Sequence, residues 1–154
     1  MDNKIITAII VIIIALLGGI FGTGAISDSN STDHNLSDNT TSASVIESGE
    51  YVTANEVAAY IKEFHKLPSN YITKKEAQSL GWSGGPLKKY APGKSIGGDV
   101  FTNRQGILPH INSKYIECDI DANGTSRGAK RIVYSTEDYK VYYTEDHYST
   151  FKEI

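Results

Sequence analysis

Two carboxylates and two guanidinium groups are spaced so that they can meet on one face of a sheet. In the strand-like segment 115–120, Glu117 and Asp119 alternate with apolar residues, so both carboxylates lie on the face opposite the apolar side chains. Arg127 and Arg131 are four residues apart across the turn into the next strand-like segment. We expect both guanidinium groups to reach the same sheet face, where Asp119 can pair with them.

Two further candidates lie elsewhere in the chain. His147 follows the last strand-like segment, and histidine is the side chain whose ordinary pKa allows proton exchange near neutral pH. Lys74 lies in the first turn of an expected helix, where the helix dipole disfavours a cation, so we infer that it serves another purpose. Taken singly, these residues also have bland interpretations as a solvated carboxylate, a loop histidine and a surface cation.

Taken as a set, these residues supply one proton acceptor, one proton donor and three cations. Cleavage of RNA by its own 2′-hydroxyl needs a base for the 2′ proton, an acid for the departing 5′ oxygen, and cations for the charge on phosphorus. It also needs in-line placement of the attacking and leaving oxygens. A carboxylate and a histidine can perform both proton transfers, so we expect no metal and no organic cofactor. Spacing alone does not establish that the residues converge.

Two helices are expected ahead of these residues. Thr53–Glu56 and Thr73–Glu76 are capping-box patterns, and each opens a predicted helix. Gly81 is suited to the left-handed cap that would end the second helix. The segment 82–98 is rich in Gly and Pro, so we expect it to be a loop.

Strand signals dominate the second half of the chain. Segments 131–135 and 139–143 predict a hairpin that turns at 136–138, after the strand-like segment 115–120. Helices followed by antiparallel strands predict an α+β fold, with N-terminal helices packed on a C-terminal antiparallel sheet.

The chain of 154 residues divides into three regions of different composition. Residues 1–26 include an uncharged, apolar stretch, residues 27–50 hold five acidic residues and no Lys or Arg, and residues 51–154 form the expected domain. The domain has 14 basic and 12 acidic residues, so it is mildly basic although the whole chain has a net charge of −3. A basic domain fits a polyanionic partner.

The single cysteine, Cys118, excludes an intrachain disulfide and a cysteine-based zinc site, and we expect it on the core face of its strand.

The first two regions indicate export from the cytoplasm. The stretch 5–26 is long enough to cross a bilayer, and it also has the features of a secretory signal peptide. Both interpretations stay open, and both place the rest of the chain outside the cytoplasm, either secreted or tethered to the membrane through residues 5–26. The acidic region 27–50 buries too little apolar surface to fold, so we interpret it as a flexible spacer.

Longer motifs extend the pattern to a family. The chain closely resembles the barnase branch of the microbial guanyl-specific ribonucleases over residues 52–154, and the resemblance rests on His65–Lys74, Glu76–Trp82, Ala91–Asp99, Phe101–Arg104, Arg131–Ser135 and Asp146–Phe151. The resemblance implies the microbial ribonuclease fold. It also implies cleavage of single-stranded RNA through a 2′,3′-cyclic phosphate, which is then hydrolysed to a 3′-phosphate.

The resemblance also implies a role for each site residue. Glu117 matches the general base and His147 the general acid, and the two exchange roles in the hydrolysis step. Three cations match the phosphate-binding groups, namely Lys74, Arg127 and Arg131. The remaining matches are to substrate-binding positions. Asp99 matches a carboxylate at the edge of the site, and Tyr148 matches a tyrosine beside the acid. The loop that holds guanine is matched by Phe101, Thr102, Asn103 and Arg104.

Three positions depart from the family pattern. Gln105 replaces a glutamate that accepts two hydrogen bonds from guanine, and an amide NH₂ group cannot accept one. Ile107 replaces a lysine near the site, and Lys130 replaces an acid beside Arg131. We therefore expect a preference for guanine with relaxed specificity.

The resemblance further implies an RNA substrate and a small acidic barstar-like inhibitor protein, whose acidic groups would occupy the phosphate sites. We expect a monomer. An alternative is an inactive ribonuclease-fold module that binds RNA or a protein partner at the cell surface, and another is a tethered structural domain. The retention of the base, the acid and all three cations favours the enzyme.

Overall fold

The computed structural model of the chain describes residues 43–122, 124 and 126–154. All of these belong to one compact unit, Asn39–Ile154. The apolar stretch 5–26 and most of the acidic spacer lie outside the described residues. No helix within the described part of the chain is both long enough and apolar enough to cross a membrane.

The first helix, α1, spans Ala54–Phe64 and buries one apolar face made by Val57, Ala58, Tyr60 and Ile61. The prediction of a capping box at the start of α1 is wrong. The hydroxyl of Thr53 donates to the carboxylate of Glu56 at 2.6 Å, and no side chain caps the backbone N–H groups of the first turn. The helix ends at His65, whose left-handed backbone lets its N–H group bond to the carbonyl of Ile61.

The second helix, α2, spans Lys74–Ser79, and here both predicted caps are present. The hydroxyl of Thr73 accepts from the N–H group of Glu76, while the Glu76 carboxylate accepts from the N–H group of Thr73 at 2.7 Å. The bond from the Thr73 N–H group, together with one of 2.8 Å from the Thr73 hydroxyl to the same carboxylate, lowers the pKa of Glu76. At the other end, Gly81 has a φ of 92°, and the N–H groups of Gly81 and Trp82 bond back to the last turn as in a Schellman motif.

Six strands form one sheet in the order β1-β2-β3-β4-β5-β6. The strands are β1 (Tyr71–Ile72), β2 (Ser95–Phe101), β3 (Tyr115–Asp119), β4 (Arg131–Ser135), β5 (Val141–Thr144) and β6 (Lys152–Glu153). Strands β1 and β2 are parallel, and every later pair is antiparallel. The predicted α+β class and the predicted hairpin, formed by β4 and β5, are confirmed.

The sequence prediction of loop up to Gly98 is wrong from Ser95 onward, where β2 begins. A Gly-Gly pair has low strand propensity, but its lack of side chains is what this position requires. A Cβ atom on Gly97 would lie 2.6 Å from the Cβ of Cys118 on β3. The pairing of β2 with β3 shifts register between Gly97 and Asp99, so Gly98, with a φ of 99°, forms the irregular step.

The sheet separates the main core from the candidate site. Alternate residues of β3 and β4 pack against α1 in a cluster that includes Cys118, Ile132 and Tyr134. Cys118 is buried there as predicted, and burial raises the pKa of its thiol. The intervening residues of β3, Glu117 and Asp119, therefore lie on the face away from α1.

The segment 43–50, which the sequence analysis assigned to the flexible spacer, contacts the domain. The carbonyl of Glu47 accepts a hydrogen bond of 2.7 Å from the hydroxyl of Tyr60 on α1. Its carboxylate pairs with Lys66 at 2.6 Å, and Glu50 lies 3.6 Å from Lys94. Two of the acidic residues counted in the spacer therefore form ion pairs with the domain, and ordered packing begins before Tyr51.

Candidate active site

A buried ion cluster joins β3 to the loop before β4. Asp119 is only 2% exposed, and its carboxylate accepts two hydrogen bonds from Arg127, at 2.7 Å from Nε and 3.0 Å from Nη2. Arg131, which is the register partner of Asp119 on β4, places its Nε 2.9 Å from the same carboxylate. The predicted pairing of Asp119 with both arginines is confirmed. The bland interpretation of a solvated carboxylate does not hold for Asp119, because the arginines cover it.

Each arginine has a second set of contacts that fixes its guanidinium group. Arg131 donates from Nη1 to the carbonyls of Arg127 and Lys130, at 3.2 and 2.6 Å. The guanidinium of Arg127 lies over the ring of Trp82, 5.6 Å from its centroid. The bond to Asp119 raises the pKa of Arg127. Within the described part of the chain, Arg127 Nη1 has no hydrogen-bond partner, so it is available to an anion.

Glu117 lies two residues from Asp119 on the same face, and both of its carboxylate oxygens are occupied. Oε1 accepts a hydrogen bond of 2.6 Å from Nζ of Lys74, and Oε2 accepts one of 2.8 Å from the hydroxyl of Tyr148. Its side chain is 13% exposed, whereas that of Lys74 is 41% exposed. A carboxylate at the edge of solvent, beside a partly exposed cation, is suited to take a proton from a bound anionic substrate.

The position of Lys74 follows from how α2 is anchored. The backbone N–H group of Lys74 donates to the Asp99 carboxylate at 2.9 Å, and Asp99 is the register partner of Glu117 on β2. Asp99 therefore fixes the start of α2 beside β3, and the Lys74 side chain reaches Glu117. This contact supplies the purpose that the sequence analysis inferred for a lysine in a first helical turn.

Tyr148 links the ion cluster to a cavity. Burial and the bond to Glu117 raise its pKa. Its ring stacks on Phe101 at a centroid distance of 5.2 Å and an angle of 26°. The cavity has a volume of about 250 Å³, and its walls are the predicted guanine loop together with the segment that carries the predicted acid: Phe101, Thr102, Asn103, Arg104, Gln105, Ile107, His147, Tyr148 and Ser149. Its size and polar rim fit a planar heterocycle.

The loop that is predicted to hold guanine is stabilised by hydrogen bonds from one of its own side chains. The Asn103 side chain donates to the carbonyl of Leu108 at 2.9 Å and accepts from the N–H group of Leu108 at 3.1 Å. Asn103 has a φ of 45°, and its carbonyl accepts from Gly106 at 2.9 Å. This closed loop leaves Arg104 and Gln105 exposed at the cavity.

His147 lies exposed on a loop with an unusual backbone. It and Tyr148 have φ values of 56° and 74°, a region that residues with a Cβ adopt at a cost. The carboxylate of Asp146 holds this conformation by accepting hydrogen bonds from the hydroxyl of Thr144, from the N–H and hydroxyl groups of Thr150, and from the N–H group of Ser149. Sequence analysis did not identify Asp146 as a site residue. The Asp followed by Ser and Thr three and four positions later was the available signal.

Replacement of Asp146 by asparagine is expected to change how stability depends on pH. The bonds from Thr150 and its neighbours lower the pKa of Asp146 to about 2. The stabilisation by this carboxylate is therefore complete above the unfolded-state pKa, about 4, and is lost as the pH falls towards 2. Urea unfolding at pH 2 to 6 should show the Asp146→Asn variant less stable than the parent chain at pH 6, with the difference shrinking below pH 4. Glu145→Gln, which alters the neighbouring carboxylate, is the control. A difference that is constant with pH would contradict the assignment.

The structure thus brings all twelve predicted site residues to one side of the sheet or to its adjoining loops. Direct contacts join Lys74, Glu117 and Tyr148, and the Asp119 cluster holds the two arginines. Asp146 and Trp82 also contribute to the site, although neither was predicted from the sequence, whereas Asp119 was predicted as the partner of the two arginines. Within the described residues, no group of three His, Cys, Asp or Glu side chains is arranged to hold a metal ion.

The domain that carries this site is similar in sequence to known proteins. The family model described as ribonuclease matches residues 54–154. A ribonuclease of Heyndrickxia coagulans is 50% identical over 105 residues, covering 66% of this chain and 95% of that protein. A ribonuclease of Bacillus intermedius is also 50% identical over 105 residues, covering 66% of this chain and 64% of that protein.

Two weaker similarities are to proteins whose descriptions mention guanine specificity or a guanosine ligand. Guanyl-specific ribonuclease Sa3 of Kitasatospora aureofaciens is 41% identical over 59 residues, covering 37% of this chain and 42% of that protein. The crystal structure of ribonuclease Sa2 with guanosine-2′-cyclophosphate is 32% identical, covers 58% of this chain and 88% of that chain, and gives a TM-score of 0.34.

Proposed function

The chain belongs to the ribonuclease family, and we propose that it cleaves single-stranded RNA in two steps without a metal ion. In the first step the 2′-oxygen attacks phosphorus, the bond to the 5′ oxygen breaks, and a 2′,3′-cyclic phosphate forms. In the second step water opens the cyclic phosphate to a 3′-phosphate. The relatives described as guanyl-specific support a preference for guanine.

The carboxylate of Glu117 accepts the 2′ proton in the first step, and the imidazolium of His147 gives a proton to the departing 5′ oxygen. The two residues exchange roles in the second step. His147 then takes a proton from the attacking water, and Glu117 returns a proton to the 2′ oxygen. The observation that carries this proposal is the position of Tyr148, which bonds to Glu117 at 2.8 Å and lines the same cavity as His147.

Three cations stabilise the charge that develops on the phosphoryl oxygens. Lys74 lies against the base, and Arg127 and Arg131 are oriented by Asp119 before substrate arrives. Oriented charges of this kind stabilise a transition state because they need little reorganisation as the reaction proceeds. Nη1 of Arg127, which has no hydrogen-bond partner among the described residues, is the donor that we assign to the scissile phosphate.

The test is cleavage of a short single-stranded RNA by the purified chain in the presence of EDTA, with the products followed by ³¹P NMR. We expect a cyclic phosphate resonance that appears first and is replaced by that of a 3′-phosphate. Products ending in a 5′-phosphate would contradict the mechanism. Binding of the RNA without cleavage would instead support the alternative of an inactive ribonuclease-fold module.

Gln105 is expected to weaken discrimination for guanine. Its side chain lines the cavity and is exposed, and its amide offers one acceptor oxygen where a glutamate would offer two. A bidentate pair of hydrogen bonds to a base provides about 1–3 kcal/mol of discrimination. The Gln105→Glu variant should therefore raise the ratio of kcat/KM for GpU over ApU by about 5- to 150-fold. Asn112→Asp, a comparable amide-to-acid change outside the cavity, is the control. An unchanged ratio in Gln105→Glu would contradict this role.

We further propose that the enzyme acts outside the cytoplasm, on the basis of the uncharged stretch 5–26 and the acidic residues that follow it. A small acidic barstar-like inhibitor would fit the cationic site, since its carboxylates could occupy the places of substrate phosphates beside Lys74, Arg127 and Arg131. Fractionation of the producing cells would test the location. Complex formation that weakens steeply with salt would support such a partner.

A further inference from the structure

The segment from α2 to the middle of β2 is strongly basic. Between residues 74 and 98 the chain contains one acidic residue, Glu76, whose carboxylate is used by the capping box of α2. The same stretch contains five lysines: Lys74, Lys75, Lys88, Lys89 and Lys94. An excess of one charge on consecutive surface elements creates a field that attracts a polyanion.

Lys88 and Lys89 are attached to the loop that carries Arg127. The N–H group of Lys88 donates to the carbonyl of Gly124 at 2.7 Å. The same stretch of chain supplies Trp82, over whose ring the guanidinium of Arg127 lies, and Nε1 of Trp82 bonds to the carbonyl of Gly85 at 3.1 Å. Arg127 follows Gly124 by three positions, and such a segment spans at most about 10 Å. The backbone of the segment that carries the two lysines therefore lies against the loop that carries Arg127.

Unlike several other lysines of the domain, these two have no acidic partner within the described residues. Lys66, Lys94, Lys130 and Lys140 each lie within 4 Å of a carboxylate. Within the described residues, Lys88 and Lys89 form no ion pair, both are exposed, and Lys89 lies 5.7 Å from the centroid of the Tyr90 ring. Their charges are thus left for a partner from solution.

We propose that Lys88 and Lys89 bind a phosphate of the RNA substrate other than the scissile one. This inference rests on the proposed function, since it adds a second phosphate-binding position for the same substrate. Successive phosphates on a stacked strand advance by about 3.4 Å along its axis, so a phosphate two or three positions from the scissile one lies about 7–10 Å further along the strand. This distance is comparable with the longest span that three residues, from Gly124 to Arg127, can cover. The enzyme would accordingly distinguish an oligonucleotide from a dinucleotide.

The test compares two substrates in the full chain, a GpU dinucleotide with one phosphate and a hexanucleotide with a single internal guanosine. The Lys88→Gln/Lys89→Gln variant should leave kcat/KM for GpU unchanged, and it should lower kcat/KM for the hexanucleotide by about fivefold near 0.1 M salt. Log kcat/KM for the hexanucleotide should also fall less steeply with log salt concentration. The slope should be shallower by about 0.7 for each phosphate that these lysines neutralise in the parent chain.

Lys62→Gln is the matched control, because Lys62 is also exposed and without an ion pair in the described part of the chain, yet lies on α1, on the other side of the sheet. An equal decrease on both substrates, no decrease on the hexanucleotide, or the same decrease in Lys62→Gln would overturn the proposal. If the unsubstituted chain cleaves neither substrate, the proposed function fails. Binding of a labelled hexanucleotide then decides this inference: the double variant must bind it more weakly than Lys62→Gln does.

Discussion

Replacing Glu117 with glutamine is expected to lower kcat/KM for GpU by about 10²- to 10⁴-fold, the range typical for loss of one general base. Glutamine keeps the shape of the side chain, and its oxygen can still accept from Lys74 or Tyr148, each of which now bonds to one carboxylate oxygen. The variant should therefore fold and bind RNA, while the amide cannot take the 2′ proton. Initial rates of GpU cleavage and the Kd for a non-cleavable 2′-deoxy analogue separate these two effects.

Two controls make this result specific. Glu63→Gln changes an exposed carboxylate on α1, across the sheet from the site, and should leave the rate unchanged. His147→Gln should lower cleavage of GpU to a similar extent, but an RNA analogue with an activated leaving group needs no proton at the 5′ oxygen and should partly restore the rate of that variant alone. A Glu117→Gln variant that retained most of its activity would contradict the assignment of the base.

Replacing Asp119 with asparagine is expected to lower the free energy of unfolding by about 3–5 kcal/mol, as found when one partner of a buried ion pair is removed. The carboxylate is 2% exposed and receives both guanidinium groups, and the side chain of Arg131 is 4% exposed. An asparagine would leave this buried cation without its counter-charge and would direct an NH₂ group at a donor. Urea unfolding at neutral pH measures the change.

The matched control for this variant lies two residues further along the chain. Asp121→Asn removes the same charge from an exposed pair, in which Lys130 and Asp121 are 46% and 44% exposed, and should change stability far less. Asparagine is also tolerated at the positive φ of 57° found at Asp121. Equal decreases of stability in Asp119→Asn and Asp121→Asn would show that burial does not set the importance of Asp119.

Both variants also bear on the alternative of an inactive binding module. The ion cluster of Asp119 could be retained for stability alone, since it joins β3 to β4 and to the preceding loop. Stability gives no comparable reason for the retention of Glu117. Its side chain bonds to Lys74 and Tyr148, and both of these residues are partly exposed. A Glu117→Gln chain that is as stable as the parent chain but has lost the parent chain's cleavage of RNA therefore favours the enzyme.

Features that depend on neighbours along the chain could be predicted from the amino-acid sequence. The two-residue period of a strand put Glu117 and Asp119 on one face, and the Thr73–Glu76 spacing defined the start of α2. Gly81 marked the end of that helix because few other residues adopt its backbone conformation. The roles of the site residues came from the family resemblance, and the family itself is confirmed by the match over residues 54–154.

Which groups meet depends on how the chain folds in three dimensions. Lys74 and Glu117 are 43 positions apart, and Tyr148 is 31 positions from Glu117, so no local pattern specifies either bond. Strand β2 forms despite its glycines because β1 and β3 supply its backbone hydrogen bonds. Asp119 is buried because Arg127 and Arg131 converge on it. Local periodicity assigns a side chain to a face, but burial and ion pairing depend on what the rest of the chain places against that face.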